Sequence, residues 1–320
     1  MPRTGNKVTM LSCGKTVMQS IYNAMNDAES FIWIADWQMG FDVELVRRGE
    51  KNHPGQLHKL IEKIISTKPV QVRVLLYCSV KDDVPGTYDG LVSRKINSLN
   101  KKGYPGSVRV LQQKSTSTQN DSWEYSHHQK FVVVDGTIGF LGGIDLSYGR
   151  WETPEFDVVV DPSKFISNDM YSPCVVKRRP PSLTEKKIIA DFDFAAPYKG
   201  LLIDEGCQPR MPWQDVHIKI EGPSVVDIHR NFVRRWNAHL KVEGRYPFSS
   251  DWISRAWLEK IGAWKRLSAV QPRVGGGAQV QIVRSVSNGH LKQEGEAPED
   301  LLLFVDQREK NTWGDCLKSW

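Results

Sequence analysis

The sequence predicts an α/β fold: a layered mixed β-sheet flanked by helices, with an irregular insertion. Three observations carry this. Short β-rich runs and helix-periodic segments alternate from residue 15 to residue 112. Further on, an Asp-Gly step separates two apolar runs, which is a strong hairpin signal. Regular patterning then stops over residues 161–212, where proline is frequent, and resumes at Trp213.

The elements follow in order. Residues 15–28 carry Val17, Ile21, Met25 and Ala28 at near-helical spacing, so a helix is expected. Ser30 to Trp37 is short, apolar and β-rich, a buried strand. Gln56 to Ser66 reads as a second helix, ended near Pro69. Val70 to Tyr77 reads as a second strand, Asp89 to Leu99 as a helix and Ser107 to Gln112 as a third strand. Gln113 to Asp121 is polar and reads as a loop. Tyr125 to Val134 and Ile138 to Leu141 form the hairpin around Asp135-Gly136, and Phe156 to Val160 reads as another strand. His217 to Glu221 is a strand candidate. Val225 to His239 places Val225, Ile228, Phe232, Val233 and Trp236 on one helical face. Ala278 to Arg284 follows a Gly275-Gly276-Gly277 hinge and reads as a strand. Beyond residue 288 the pattern fades, apart from the apolar patch Leu301 to Val305.

Composition narrows the classes. With 40% hydrophobic and 25% charged residues, the chain of 320 has the make-up of a globular protein with a substantial core. The net charge of +6 favours anionic partners. Five scattered cysteines (Cys13, Cys78, Cys174, Cys207, Cys316) form no C-x-x-C pair, so neither a zinc site nor a disulfide framework is indicated. The first residues, MPRTGNKVTM, lack an apolar stretch, so no signal peptide is expected and synthesis is read as cytoplasmic.

The hairpin carries the chemistry. On a regular strand, side chains alternate faces. His128 and Lys130 therefore share a face, while His127, Gln129 and Asp135 point the other way. An imidazole beside an ammonium is poorly suited to packing, and the ammonium disfavours a proton on the ring. A neutral imidazole next to a fixed positive charge suits attack at phosphorus, with the lysine holding the phosphate oxygens. Asp135 belongs to the same group of residues but cannot reach that face, so its part is expected to be structural, in the turn. Gly142 and Gly143 would let a phosphate approach the backbone closely.

At these residues the sequence resembles the phospholipase D superfamily. That signature is His-x-Lys, four residues, Asp, six residues, then Gly-Gly/Ser-x-Asn/Asp. Here it reads His128-Gln129-Lys130, Asp135 and Gly142-Gly143-Ile144-Asp145. The segments GGIDLSYGRWETPE and PRMPWQDVHIKIEGPSVVDIHRNFVRRWN look like eukaryotic-type phospholipases D, and still more like bacterial effectors of that type delivered by type VI secretion. The resemblance covers most of residues 8–287. It implies that residues 1–160 form a first phospholipase D-like lobe, and that 213–287 continue it and begin a second half. Residues 161–212 would be an insertion or lid and 288–320 a poorly ordered tail.

The resemblance also implies roles. His128 would be the nucleophile that forms a phosphohistidine, or the acid for the leaving alcohol. Lys130 and Asp145 would hold the phosphate. An acidic residue would orient the histidine, with Asp157 the first candidate and Glu155 the second. No metal or cofactor is implied. The substrate would lie in a phospholipid membrane surface, and export by a contact-dependent machine would follow.

Sites of this superfamily use two such motifs, one histidine attacking and the other protonating the leaving group. No second motif is found. His217-Ile218-Lys219 is followed four residues later by Ser224, and His290-Leu291-Lys292 by a polar stretch without the aspartate. Either two copies complete one site across a twofold axis, or the chain is the amino-terminal part of a two-motif enzyme that needs a complementing second-half chain. The second is the favoured expectation. A nuclease or other phosphodiesterase active as a homodimer is an alternative, with nucleic acid the less favoured substrate. An inactive half acting as a binding module is another.

Overall fold

The computed structural model describes residues 2–47, 55–78, 89–101, 106–113, 127–158, 212–243, 250–268 and 270–284. Its centre is an eight-stranded mixed sheet. The strands are β1 (Arg3–Leu11), β2 (Phe31–Asp36), β3 (Gln71–Tyr77), β4 (Val108–Gln113), β5 (Lys130–Val134), β6 (Ile138–Gly142), β7 (His217–Glu221) and β8 (Ala278–Val280), in the order β4-β3-β2-β5-β6-β7-β1-β8. β2, β3 and β4 run parallel, and every pair from β2–β5 onward is antiparallel. Parallel strands need crossovers, and α2 (Leu57–Thr67) and α3 (Asp89–Ser98) supply them.

Helices cover both faces, so the central strands are apolar on both sides. All six residues of β2 are buried. On one face α1 (Gly14–Asn26), α2 and α3 close a core with Ile32, Ile34, Val72, Val74, Val132 and Val134. α2 shows the stripe that makes this possible, burying Leu57, Leu60, Ile61, Ile64 and Ile65. On the other face α4 (Val225–Val242), α5 (Arg255–Lys260) and α6 (Ala263–Ser268) cover Phe31, Trp33, Leu75, Phe131 and Val133. Trp33 stacks on Phe232 there and donates its indole N–H to His229 Nδ1 at 2.9 Å.

The β5–β6 hairpin forms at the Asp-Gly step, with Asp135, Gly136 and Thr137 between the paired Val134 and Ile138. Asp135 and Gly136 both have positive φ, 51° and 68°, and the Thr137 N–H closes onto the Val134 carbonyl at 3.1 Å.

Several expectations change. β5 begins at Lys130, and residues 127–129 precede it without regular structure. Phe156 to Val158 is not a strand: Phe156 has φ 51°, which turns the chain out of an extended path, and residues 159–160 lie outside the described region. The strand after the triple glycine spans only Ala278–Val280. The insertion 161–212, save its last residue, and the tail 288–320 lie outside the described residues.

β1, α5 and α6 were not anticipated. β1 reads RTGNKVTML, with most of its side chains exposed. Its partners β7 and β8 lie more than 200 residues away, so neither pattern nor local context marks it.

Candidate active site

The site forms where β2 ends, β5 begins and the segment after β6 returns across them. Lys130 opens β5, and residues 144–150 carry Asp145 and Arg150 back over Asp36, the last residue of β2. Ligands of open α/β sheets gather outside the carboxyl ends of parallel strands, which is the end β2 presents here.

His128 and Lys130 point the same way. His128 Nδ1 lies 3.4 Å from Lys130 Nζ, and the imidazole is exposed. Trp37 walls the pair, its ring centroid 5.1 Å from that of His128 and 5.4 Å from Lys130 Nζ. Lys130 is only 6% exposed, and its ammonium is held by Asp145 Oδ1 at 3.1 Å. Partial desolvation, then the Lys130 charge, push the His128 pKa below its usual value. Asp145 and Asp215 oppose this, and Arg150 adds to it. The ring therefore stays neutral at neutral pH.

Asp145 is the hub of a buried charge cluster. Besides Lys130, it receives Arg150 Nη2 at 3.3 Å and the Gln38 backbone N–H at 3.2 Å. Arg150 is fixed in turn by Gln38 Oε1 at 2.8 Å and by the face of Trp213 at 3.6 Å. Asp36 stands against Asp145 and accepts the N–H groups of Leu146 at 2.8 Å and Trp37 at 3.0 Å. Burial, then the neighbouring Asp145 charge, raise the Asp36 pKa well above its ordinary value. This favours the protonated form of Asp36. Two cations, one carboxylate and one carboxylic acid leave the cluster net positive, which suits an incoming phosphate.

Asp135 lies away from this cluster. Its carboxylate accepts from Ser30 N at 2.8 Å, Phe31 N and Glu29 N at 2.9 Å each, and Ser30 Oγ at 2.7 Å. It ties the hairpin turn to the start of β2.

The glycines work differently from the expectation. A Cβ on Gly142 would fall 2.6 Å from His217 Cα and 2.7 Å from its ring Cγ. A Cβ on Gly143 would collide with the Asp215 carboxylate. The space expected for a phosphate is taken by β7 and the residues just before it. Asp145 is likewise turned to Lys130 and Arg150, its side chain 2% exposed.

Asp157 is half-buried and Glu155 exposed, just past the end of this segment around the Phe156 turn. The carboxylates that bear on His128 are Asp145 and Asp215. Asp215, Asp36, Arg150 and His217 were all missed. Signals existed for two of them. Asp36 ends a wholly apolar strand, and Asp215 stands two residues before β7 in the MPWQDVH segment.

A family model described as phospholipase D matches the chain twice, over residues 24–187 and 184–307. The chain is 30% identical to phospholipase D C of Dictyostelium discoideum over 241 residues, 73% of this chain and 13% of that protein. It is 29% identical to phospholipase D alpha 3 of Arabidopsis thaliana over 309 residues, 88% of this chain and 33% of that one. The chain thus spans a third or less of the length of these relatives. Among solved structures, the phospholipase D family member Nuc from Salmonella typhimurium overlaps at a TM-score of 0.36 and 10% identity, over 72% of this chain and 95% of that one. With the family model matched along most of its length, the chain belongs to the phospholipase D superfamily.

Proposed function

We propose that the chain is a phospholipase D-type phosphodiesterase that cleaves phospholipid head groups through a phosphohistidine. The single observation carrying this is the exposed neutral imidazole of His128 beside the buried Lys130 ammonium. A ring nitrogen of His128 attacks phosphorus, and the P–N bond forms as the P–O bond to the head-group alcohol breaks. The Asp215 charge, which favours a proton on His128, stabilises the positive charge that develops on the ring. Lys130, kept in place by Asp145, stabilises the phosphoryl oxygens. Water then attacks the phosphohistidine, the P–N bond breaks, and phosphatidic acid leaves.

The leaving alkoxide needs a proton from an acid. A second copy of the chain, or a chain carrying the second half, would supply that acid. Either explanation makes specific activity rise with concentration of the completing chain.

Head-group release from phosphatidylcholine vesicles tests the reading. His128→Ala should lower turnover at least a thousandfold (~4 kcal/mol in the barrier). Unchanged turnover in that variant would remove the proposal. Activity per chain that stays flat over a hundredfold dilution would remove the need for a second copy.

A further inference from the structure

Directly paired residues of adjacent strands put their side chains on the same face. Lys130 pairs with Gly142, and Gly142 pairs with His217. The three stand in one row across β5, β6 and β7. Two strand spacings separate the Lys130 and His217 backbones, roughly 10 Å. Glycine in the middle of the row leaves its place to the imidazole, which leans over Gly142. The charges that reach His217 from the site are those of Asp145 and Lys130.

His217 is 2% exposed, and neither ring nitrogen has a hydrogen-bond partner among the described residues. Burying an imidazole with both nitrogens unpaired costs stability, and leucine would fill the volume without that cost. A group left so in a native site points to a ligand that completes it. On the reading that the site takes a phosphodiester, we propose that His217 is a phosphate-binding residue that donates its ring N–H to a non-bridging oxygen of the phosphate held by Lys130.

The chemistry fits a neutral donor better than an acid. Burial lowers the His217 pKa to about 4, with Lys130 adding to this and Asp145 opposing it. A neutral imidazole carries one N–H and no charge, so it contributes a hydrogen bond without competing with Lys130 for Asp145. It is too weakly basic to be the proton donor for the leaving alcohol at neutral pH. His217 therefore does not replace the missing second motif, and its part is to seat the phosphoryl group.

The test uses inorganic phosphate as the probe, with calorimetric titration of the whole chain and two variants. His217→Leu should bind phosphate at least about tenfold more weakly while its Tm is unchanged or raised. His217→Gln, which keeps an N–H, should bind within about threefold of the parent. Equal binding by His217→Leu would overturn the proposal, as would a loss in His217→Gln as large as that in His217→Leu. A direct check needs no variant. The His217 ring resonances of the parent should shift on adding phosphate, and their staying still while those of His128 move would overturn it too. Absence of any phosphate binding by the parent would instead overturn the phosphodiester reading, and this inference with it.

Discussion

Lys130 and Arg150 are both nearly sealed from solvent, and both lean on one carboxylate, Asp145. Removing that charge leaves two buried cations uncompensated. Asp145→Asn should therefore cost about 3–5 kcal/mol of stability, read as a shift in urea midpoint. Asp36 is the contrasting case, since its raised pKa favours the protonated form. Asp36→Asn keeps an acceptor and a donor at that place and should leave turnover within about tenfold of the parent (~1.4 kcal/mol). The two variants look alike in sequence and differ because one carboxyl is charged and the other is not. Loss of folding in Asp36→Asn, or none in Asp145→Asn, would show the proton assigned to the wrong residue. The motif spacing made His128 and Lys130 legible as a pair on one face, since the two stand two positions apart, and the pair holds although β5 begins only at Lys130. The Asp36–Asp145 contact was not legible, because 108 positions intervene and only folding brings the two together.

The hairpin and β2 are joined by one side chain. Asp135 accepts three backbone N–H groups and the Ser30 hydroxyl, and one of those N–H groups, that of Phe31, opens the central strand. Asp135→Ala should lower stability by more than about 3 kcal/mol, because the orphaned donors stay buried. Asp135→Asn should cost less, since an amide oxygen accepts and asparagine tolerates the positive φ. Circular dichroism during urea titration of both variants checks the order. Elements with a continuous apolar run or a clean stripe, such as β2, β3, α2 and α4, were legible at once. Those whose order depends on neighbours were not. β1 is polar over most of its length and is held by β7, β8 and the buried Asn6, which accepts the Ser224 N–H at 2.8 Å. The FDVVV run has the composition of a strand, and the backbone at Phe156 overrides it.

Acid should loosen the fold as one unit. His217 and His229 are buried and neutral, with pKa values lowered to about 4 and about 3, in each case chiefly by burial. A lowered folded pKa means that the unfolded chain takes up protons first. The stability these groups confer is full above about pH 6.5 and is lost as pH falls toward their folded values. Each such group is worth on the order of 3–5 kcal/mol across that window. Asp36 has the opposite sign. Its raised pKa gives stability below about pH 4 that is lost as pH rises through the folded value. The urea midpoint should therefore drop between pH 7 and pH 4, and Asp36→Asn should make the drop steeper. A midpoint that is level across this range, or that rises on acidification, would contradict the burial of both imidazoles.

The amino-acid sequence by itself determined the alternation of strands and helices, the Asp-Gly hairpin, and the shared face of His128 and Lys130. These are local relations, set by side-chain periods and by a short turn. Only the tertiary structure decided which residues complete the site. β7 lies beside β6 although about 75 residues separate them, and that pairing delivers Asp215 and His217 to the hairpin. A period of two says which face a side chain takes, but it does not say which strand will lie alongside. That choice is made when the two helical layers close on the sheet and bury both of its faces.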